Sequence, residues 1–391
     1  MLDSIHIGVT GLLAYQQGLR VIANNTANLD TPGYKSSTLQ FADLFYAGRQ
    51  SGSGGSLQLG HGLEATGTHL DFRAGDLRQS GNDLDLAVEG EGLFVLRDAQ
   101  DRTRYTRAGT FQFDADGALV DRTDGSKVLG RDASGQLGEI SLAGSRVSAG
   151  KATGAADFSG NLSSTATEQT VAVKVFDAAG QEHALTLKLT NTGATNAGSW
   201  QAELLDGATS LGTSEIVFAD GHPTVATQKP SFSFTPAGGA AQQIVLDLSS
   251  DVTSFAAGSL STLAMTSQDG YGAGELTKAS IDAAGTLVLA YSNGQTSKGA
   301  RLALARFSTP DAVEDVGGNR FAEANGIAWE LGTAGDGGFG AVRAGMLEMS
   351  NVDLSREFSE LVVMQRGYQA SSQVVSTAND MLQELFGIKN K

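Results

Sequence analysis

The two ends of this 391-residue chain carry the same apolar rhythm. Leu347, Leu354, Leu361, Tyr368, Val375 and Leu382 recur every seven residues towards the C-terminal end, and Phe358 and Phe386 widen the stripe. Towards the N-terminal end Ile5, Leu12 and Leu19 repeat at the same spacing, with Val9 and Ala23 beside them, as far as Thr31-Pro32-Gly33. A seven-residue apolar repeat is the pattern of a coiled-coil seam. Proline lacks an N–H and restricts the residue before it, so it stops the first helix. The expectation is one helix over residues 1 to about 30, capped by Asp3 or Ser4, and a second running on from 354. Two seams so placed want each other, or copies of each other. The plainer alternative is a pair of ordinary helices on a globular core. It is weakened because chain ends fray unless docked, and nothing between them reads as a helical layer. With each seam lacking a partner until copies meet, the ends are expected to order only on assembly.

Between the ends the pattern is short apolar runs broken by turns. Glycine is abundant at 51 residues, roughly twice the usual share, and proline is scarce at 5, which points to a turn-rich β protein. Gly48 to Gly62 reads as a flexible Gly/Ser-rich link. LDLAV and GLFVL, within Leu84 to Leu96, and TFQFDADGALV, Thr110 to Val120, read as strands, and Asp116-Gly117 between apolar runs is a hairpin signal. VAVKVF, HALTLKLT, EIVF and IVLDL form a second β unit, after which LVLAYSNG and RLALARF return to the first. The expected fold is mainly β with terminal α-helices, the N- and C-terminal coiled-coil-forming helices flanking nested β domains. The expected division is 1–45 with 346–391, 46–150 with 281–345, and an inserted 151–280.

A net charge of −16 argues against a nucleic-acid partner, because phosphate binding runs on clustered Lys and Arg. The absence of cysteine excludes disulfides, thiol catalysis and cysteine metal sites. Met1-Leu2-Asp3-Ser4 lacks a basic leader, and the apolar residues after it are spaced by polar ones, so neither a cleaved secretory signal nor membrane insertion is expected. An exported chain of this kind needs another route.

The search for chemistry is negative. Asp114, Asp116 and Gly117 resemble the start of a calcium loop, but Ala118 and Gly125 stand where further ligands belong, so a turn is expected. Gly90-Glu91-Gly92 lacks the third glycine of a dinucleotide loop. His6, His61, His69, His183 and His222 show no metal spacing, and His183 is expected on a strand or turn. Asp83 and Asp85, alternating along a strand, are expected on one exposed face. No catalytic residue, cofactor or metal is expected, which leaves a structural protein ahead of a surface-binding β protein and of an enzyme.

Several segments carry a family resemblance. ANNTANLDTPGYK (Ala23 to Lys35) resembles the N-terminal signature of the bacterial flagellar rod, hook and hook-associated axial proteins. NDLDLAVEGEGLFVL, RYTRAGTFQFDADGALV and GMLEMSNVDLSREF are similar to motifs shared by its rod and hook members. VFDAAGQEHAL, IVLDLSSDVTSFA, SQDGYGAGEL, YSNGQT and VGGNRF resemble the hook members; distal rod proteins are expected to be shorter and to lack most of the insertion. Gly367 departs from the pattern where the family usually carries a better helix former, a change costing about 1 kcal/mol in an exposed helix, and Thr26 stands at a usually aliphatic position.

The resemblance implies a hook subunit that self-assembles into a curved, flexible tube at the cell exterior, joining rod to filament and transmitting torque. The alternatives are a distal rod protein or a secreted surface-binding β protein. The implied partners are other copies of the chain, the distal rod protein, the hook cap, the hook–filament junction proteins and the flagellar type III export apparatus. The expected self-assembly residues are Ile5, Val9, Leu12, Leu19, Leu354, Phe358, Leu361, Tyr368, Val375 and Leu382. The family-motif residues are Asn24, Asn25, Asn28, Pro32, Gly33, Tyr34, Ser350, Asn351 and Asp353.

Overall fold

The computed structural model of the chain describes residues 2–44, 46–51, 55–193, 198–258 and 260–389. It is mainly β, with a helix at each end: α1, Leu2–Ala27, and α2, Leu354–Lys389. Two compact units are present, one formed by 1–143, 280–288 and 298–391, the other by 144–279 and 289–297.

In the first unit α1 lies along α2. The ends are therefore paired with each other within a single chain. The physical reason is that each helix offers the other a matching face of small residues. Asp3 lies inside the first turn of α1, so neither it nor Ser4 caps the helix. After α1 the chain forms an antiparallel ribbon: β1, Ser37–Asp43, β2, Tyr46–Ser51, β3, Gly55–Gly60, and β4, Leu63–Leu70. β1 pairs with β4, and β2 with β3 in the register Tyr46↔Gly60 to Ser51↔Gly55. The expected flexible link is thus largely strand, with 52–54 outside the described residues. Backbone pairing offsets the entropy that its Gly/Ser composition suggested.

β5, Leu77–Gln79, pairs with Met346–Glu348, and β6, Leu86–Glu89, with Ala341–Ala344, so the segment entering α2 runs back beside the one leaving the ribbon. β7, Leu93–Arg97, is central, pairing with strands through Tyr105, Val128 and Leu304. Leu93 to Leu96 are all buried, as befits a strand covered on both faces. The core gathers Leu93, Val95, Tyr105, Leu129, Phe321 and Trp329, with Tyr105 and Trp329 stacked at 4.1 Å. Asp85 precedes β6 and is buried, its carboxylate 2.5 Å from Arg122 Nη2, so the exposed-face expectation fails for it. The ion pair makes that burial tolerable.

The second unit has two sheets sharing one core. Glu168–Phe176, Glu182–Asn191, Ser199–Asp206, Thr209–Ala219 and His222–Pro223 follow one another as a meander. The other sheet places Ala155–Asn161 between Gln242–Thr253, parallel to it, and Ala264–Gln268. Strict alternation puts Val171, Val173, Val175, Leu185, Leu187 and Leu189 inside with Trp200 and Phe234. His183 lies on the second strand of the meander.

One turn recurs through both units. At Asp114, Asp132, Asp177 and Asp282 the aspartate Oδ1 accepts the N–H of the residue four positions on, at 2.8 to 2.9 Å. In each, the glycine three positions after the aspartate takes a φ between +73° and +87°, a conformation glycine adopts without a Cβ penalty. Asp114 is therefore turn chemistry, as its sequence suggested.

Candidate assembly site

Small residues bring α1 and α2 together. A Cβ on Gly8 would lie 2.6 Å from Val375 Cγ2, on Gly11 2.7 Å from Ser371 Oγ, and on Gly18 2.9 Å from Met364 Sδ. Reciprocally, a Cβ on Gly367 would lie 2.5 Å from Tyr15 Cζ. Ala14 and Ala378 are buried in the same hairpin. Gly367 is thus a socket for an aromatic ring and not a weak point in α2.

The seven-residue stripes divide between this contact and the outside. Ile5, Leu12, Leu19, Leu361, Val375 and Leu382 are half-buried, whereas Val9, Leu354, Phe358 and Tyr368 are exposed. At 100° per residue, Leu354, Phe358, Tyr368 and Phe386 fall on one side of the line that meets α1. Val363, Val374, Met381, Leu385 and Ile388 fall on the other side, and Val363 is 63% exposed and Ile388 77%. Sequence reading missed this second flank because it followed only the strongest repeat.

The family-motif residues converge where the helices meet the β structure. Asn28 closes α1, donating from Nδ2 to Asn24 O at 2.9 Å and accepting from Thr31 Oγ1 at 3.1 Å. Asn24 donates to the Tyr34 hydroxyl at 3.0 Å, and that hydroxyl donates to Asn25 Oδ1 at 3.1 Å. Gly33 takes φ +70°, and a Cβ there would lie 2.4 Å from Ala108 N, so only glycine fits. Its N–H donates to Glu348 O at 2.7 Å, while Pro32 O accepts from Asn319 Nδ2 at 2.8 Å. Across the junction Asn351 Oδ1 accepts from Ser36 N at 2.8 Å, and Asn351 Nδ2 donates to Asp71 O at 2.7 Å. Ser350 Oγ accepts from Val352 N at 3.3 Å. Asp353 caps α2, its Oδ1 accepting from Ser355 N at 2.9 Å and Arg356 N at 3.2 Å.

Beneath this network lies a buried charge cluster. Glu348 Oε1 accepts from Lys35 Nζ at 2.6 Å and from Gly75 N at 2.9 Å, and Oε2 accepts from Arg107 Nε at 2.5 Å. Arg107 also donates to the carbonyls of Val88, Gly90 and Gly92. Burial alone would raise the Glu348 pKa, but Arg107 and Lys35 hold it below the usual carboxylate range. Lys35, Arg107 and Glu348 sit within three of the quoted motifs, yet sequence reading did not single them out. The available signal was a charge at a fixed place in otherwise apolar or turn-forming motifs. This arrangement fastens the two ends of the chain to one β framework, and among the described residues no cluster of His, Asp and Glu suited to a metal ion is present.

A helical hairpin with apolar flanks, tied to the β framework of its own unit, is the build of a structural protein that packs against others. Residues 5–35 match the family model described as Flagella basal body rod protein, 87–154 the Flagellar hook protein FlgE/F/G D1 domain, and 343–388 the Flagellar basal body rod FlgEFG protein C-terminal. The chain is 31% identical to the flagellar hook protein FlgE of Escherichia coli (strain K12) over 97% of its own length and 98% of that protein's. It is 29% identical to the flagellar hook protein FlgE of Treponema pallidum, with both chains fully covered. It is 27% identical to the flagellar basal-body rod protein FlgG of Bacillus subtilis, again over the whole of each. The chain belongs to the flagellar hook protein family. It is a structural subunit of the hook of the bacterial flagellum, a polymeric component working with rod and filament proteins.

Proposed function

We propose that the chain polymerises through its α1–α2 hairpins, the flank carrying Val363, Val374, Met381, Leu385 and Ile388 on one copy meeting the flank carrying Leu354, Phe358, Tyr368 and Phe386 on the next. The observation that carries this reading is the exposure of both flanks, which water disfavours as contiguous apolar surface. Because the flanks differ, the contact is heterologous, and where the rotation between copies does not close a ring it propagates as a helical polymer. In this reading 1–45 with 346–391 line the tube, 46–150 with 281–345 surround them, and 151–280 projects outward. Ile5, Val9, Leu12 and Leu19 support the hairpin and its neighbours. The product is a curved, compliant tube that couples rod to filament and transmits torque, with the outer units shifting as it bends.

In this reading the finer partners are the distal rod protein at one end, the cap and hook–filament junction proteins at the other, and the flagellar type III export apparatus before assembly, and membership of the hook family supports it. The role involves no catalytic step, cofactor, nucleic acid or membrane insertion. Electron microscopy of purified chain brought to polymerise is the test. Short curved tubes are expected; straight rods of fixed length would favour the distal rod alternative, and soluble monomers at every condition would sink the reading.

A further inference from the structure

Glu357, in the first turn of α2, is 5% exposed. Asn25 Nδ2 on α1 donates to its Oε1 at 3.1 Å, but Oε2 is buried with no hydrogen-bond partner. Asn25 has nothing left to give it. Its Nδ2 also donates to Ser37 O at 2.8 Å, and its Oδ1 accepts from Tyr34 OH and from Ser37 N, each at 3.1 Å.

The charges around Glu357 do not compensate. On its own helix Glu360, and before it the capping Asp353, disfavour its charge; Arg356 favours it, but is engaged with Glu360 at 3.0 Å and is half in solvent. From α1 it meets the neutral amide of Asn25. From the segment after α1 it meets Tyr34, whose hydroxyl is committed to Asn25 and whose own pKa is raised by burial, Asp315 and Glu357. A carboxylate buried with one oxygen unpaired is costly, while a neutral carboxyl in the same place is far less so.

We propose that Glu357 is a proton-operated latch on the α1–α2 hairpin: protonated, it seats against Asn25 and fastens the base of the hairpin; ionised, its unpaired buried oxygen loosens it. Burial pushes the Glu357 pKa up, with the Asn25 hydrogen bond opposing. A folded pKa above the unfolded one gives stability that is fully present below about pH 4.3, the unfolded value, and is lost as pH rises through the folded value. Near neutral pH the hairpin therefore carries a weakness at its base, which eases separation of the two helices in a chain not yet packed among its copies.

Hydrogen-exchange protection of residues 5–27 and 357–382, corrected for intrinsic rates, read on the full-length monomer from pH 4 to 8, tests this. Protection in the wild type is expected to fall about tenfold or more across that range, equivalent to about 1.4 kcal/mol, and Glu357→Gln to show no such fall. Glu357→Ala covers a glutamine that fails to seat: its protection is lower throughout, but the fall with pH vanishes. Glu348 remains in every variant, and its contribution runs in the opposite sense. A merely structural Glu357 leaves the pH profiles of the variants parallel to the wild type; that result, or a wild type with no fall, overturns the latch.

Discussion

The ring of Tyr15 on α1 sits against the bare backbone of Gly367 on α2, so close that a single methyl group on Gly367 would come within 2.5 Å of ring atom Cζ. Helix propensity alone favours alanine over glycine by about 1 kcal/mol. Overpacking a fitted contact costs about 1–3 kcal/mol. Gly367→Ala is therefore expected to lower hairpin stability by up to about 2 kcal/mol, read from thermal loss of helix by circular dichroism. A rise in the midpoint would mean the ring moves aside freely.

Glu348 gives the clearest stability test. Glu348→Gln leaves Lys35 and Arg107 buried without their counter-charge, at an expected cost of about 3–5 kcal/mol in chemical denaturation. Because the folded pKa of Glu348 lies below its unfolded value, the stability it confers is present above about pH 4.3 and is lost as pH falls through the folded value. The gap between wild type and variant should narrow on acidification below about pH 4. A gap that stays constant would show that the carboxylate's charge is not what matters.

Two aspartate substitutions separate folding from assembly. Val363 is 63% exposed on a flank of α2, so Val363→Asp should leave monomer stability within about 0.5 kcal/mol yet block polymerisation by placing an unpaired carboxylate in a subunit contact. Leu361 is half-buried in the hairpin, and Leu361→Asp should weaken the folded hairpin as well as the polymer. Sedimentation of assembled material alongside monomer denaturation reads both. Normal tubes from Val363→Asp would remove that flank from the interface.

Salt should promote assembly. Copies carrying a net charge of −16 repel one another, and ions screen that repulsion over about 8 to 10 Å near 0.1 M ionic strength. Sulfate additionally strengthens apolar burial, so ammonium sulfate should drive polymerisation at lower ionic strength than sodium chloride. Turbidity with microscopy across both salts checks this; assembly favoured by low salt would assign cohesion to ion pairs instead.

The sequence by itself determined the local elements and the family. The apolar periods that made α1, α2 and the alternating strands legible act within a few residues, as did the turn at Asp114 to Gly117, so no distant contact was needed to read them. Tertiary structure alone decided where those elements meet. Gly8, Gly11, Gly18 and Gly367 carry no apolar side chain and read as weak points in a helix; they become contact surface only when a second helix comes near enough to use the missing atoms. Lys35 and Glu348 read as surface charges until the fold brings them to 2.6 Å across a separation of 313 residues and removes water from both. The ribbon at 46–60 likewise looked like a loose link, because strand pairing is supplied by a partner strand and leaves little mark on a Gly/Ser-rich composition.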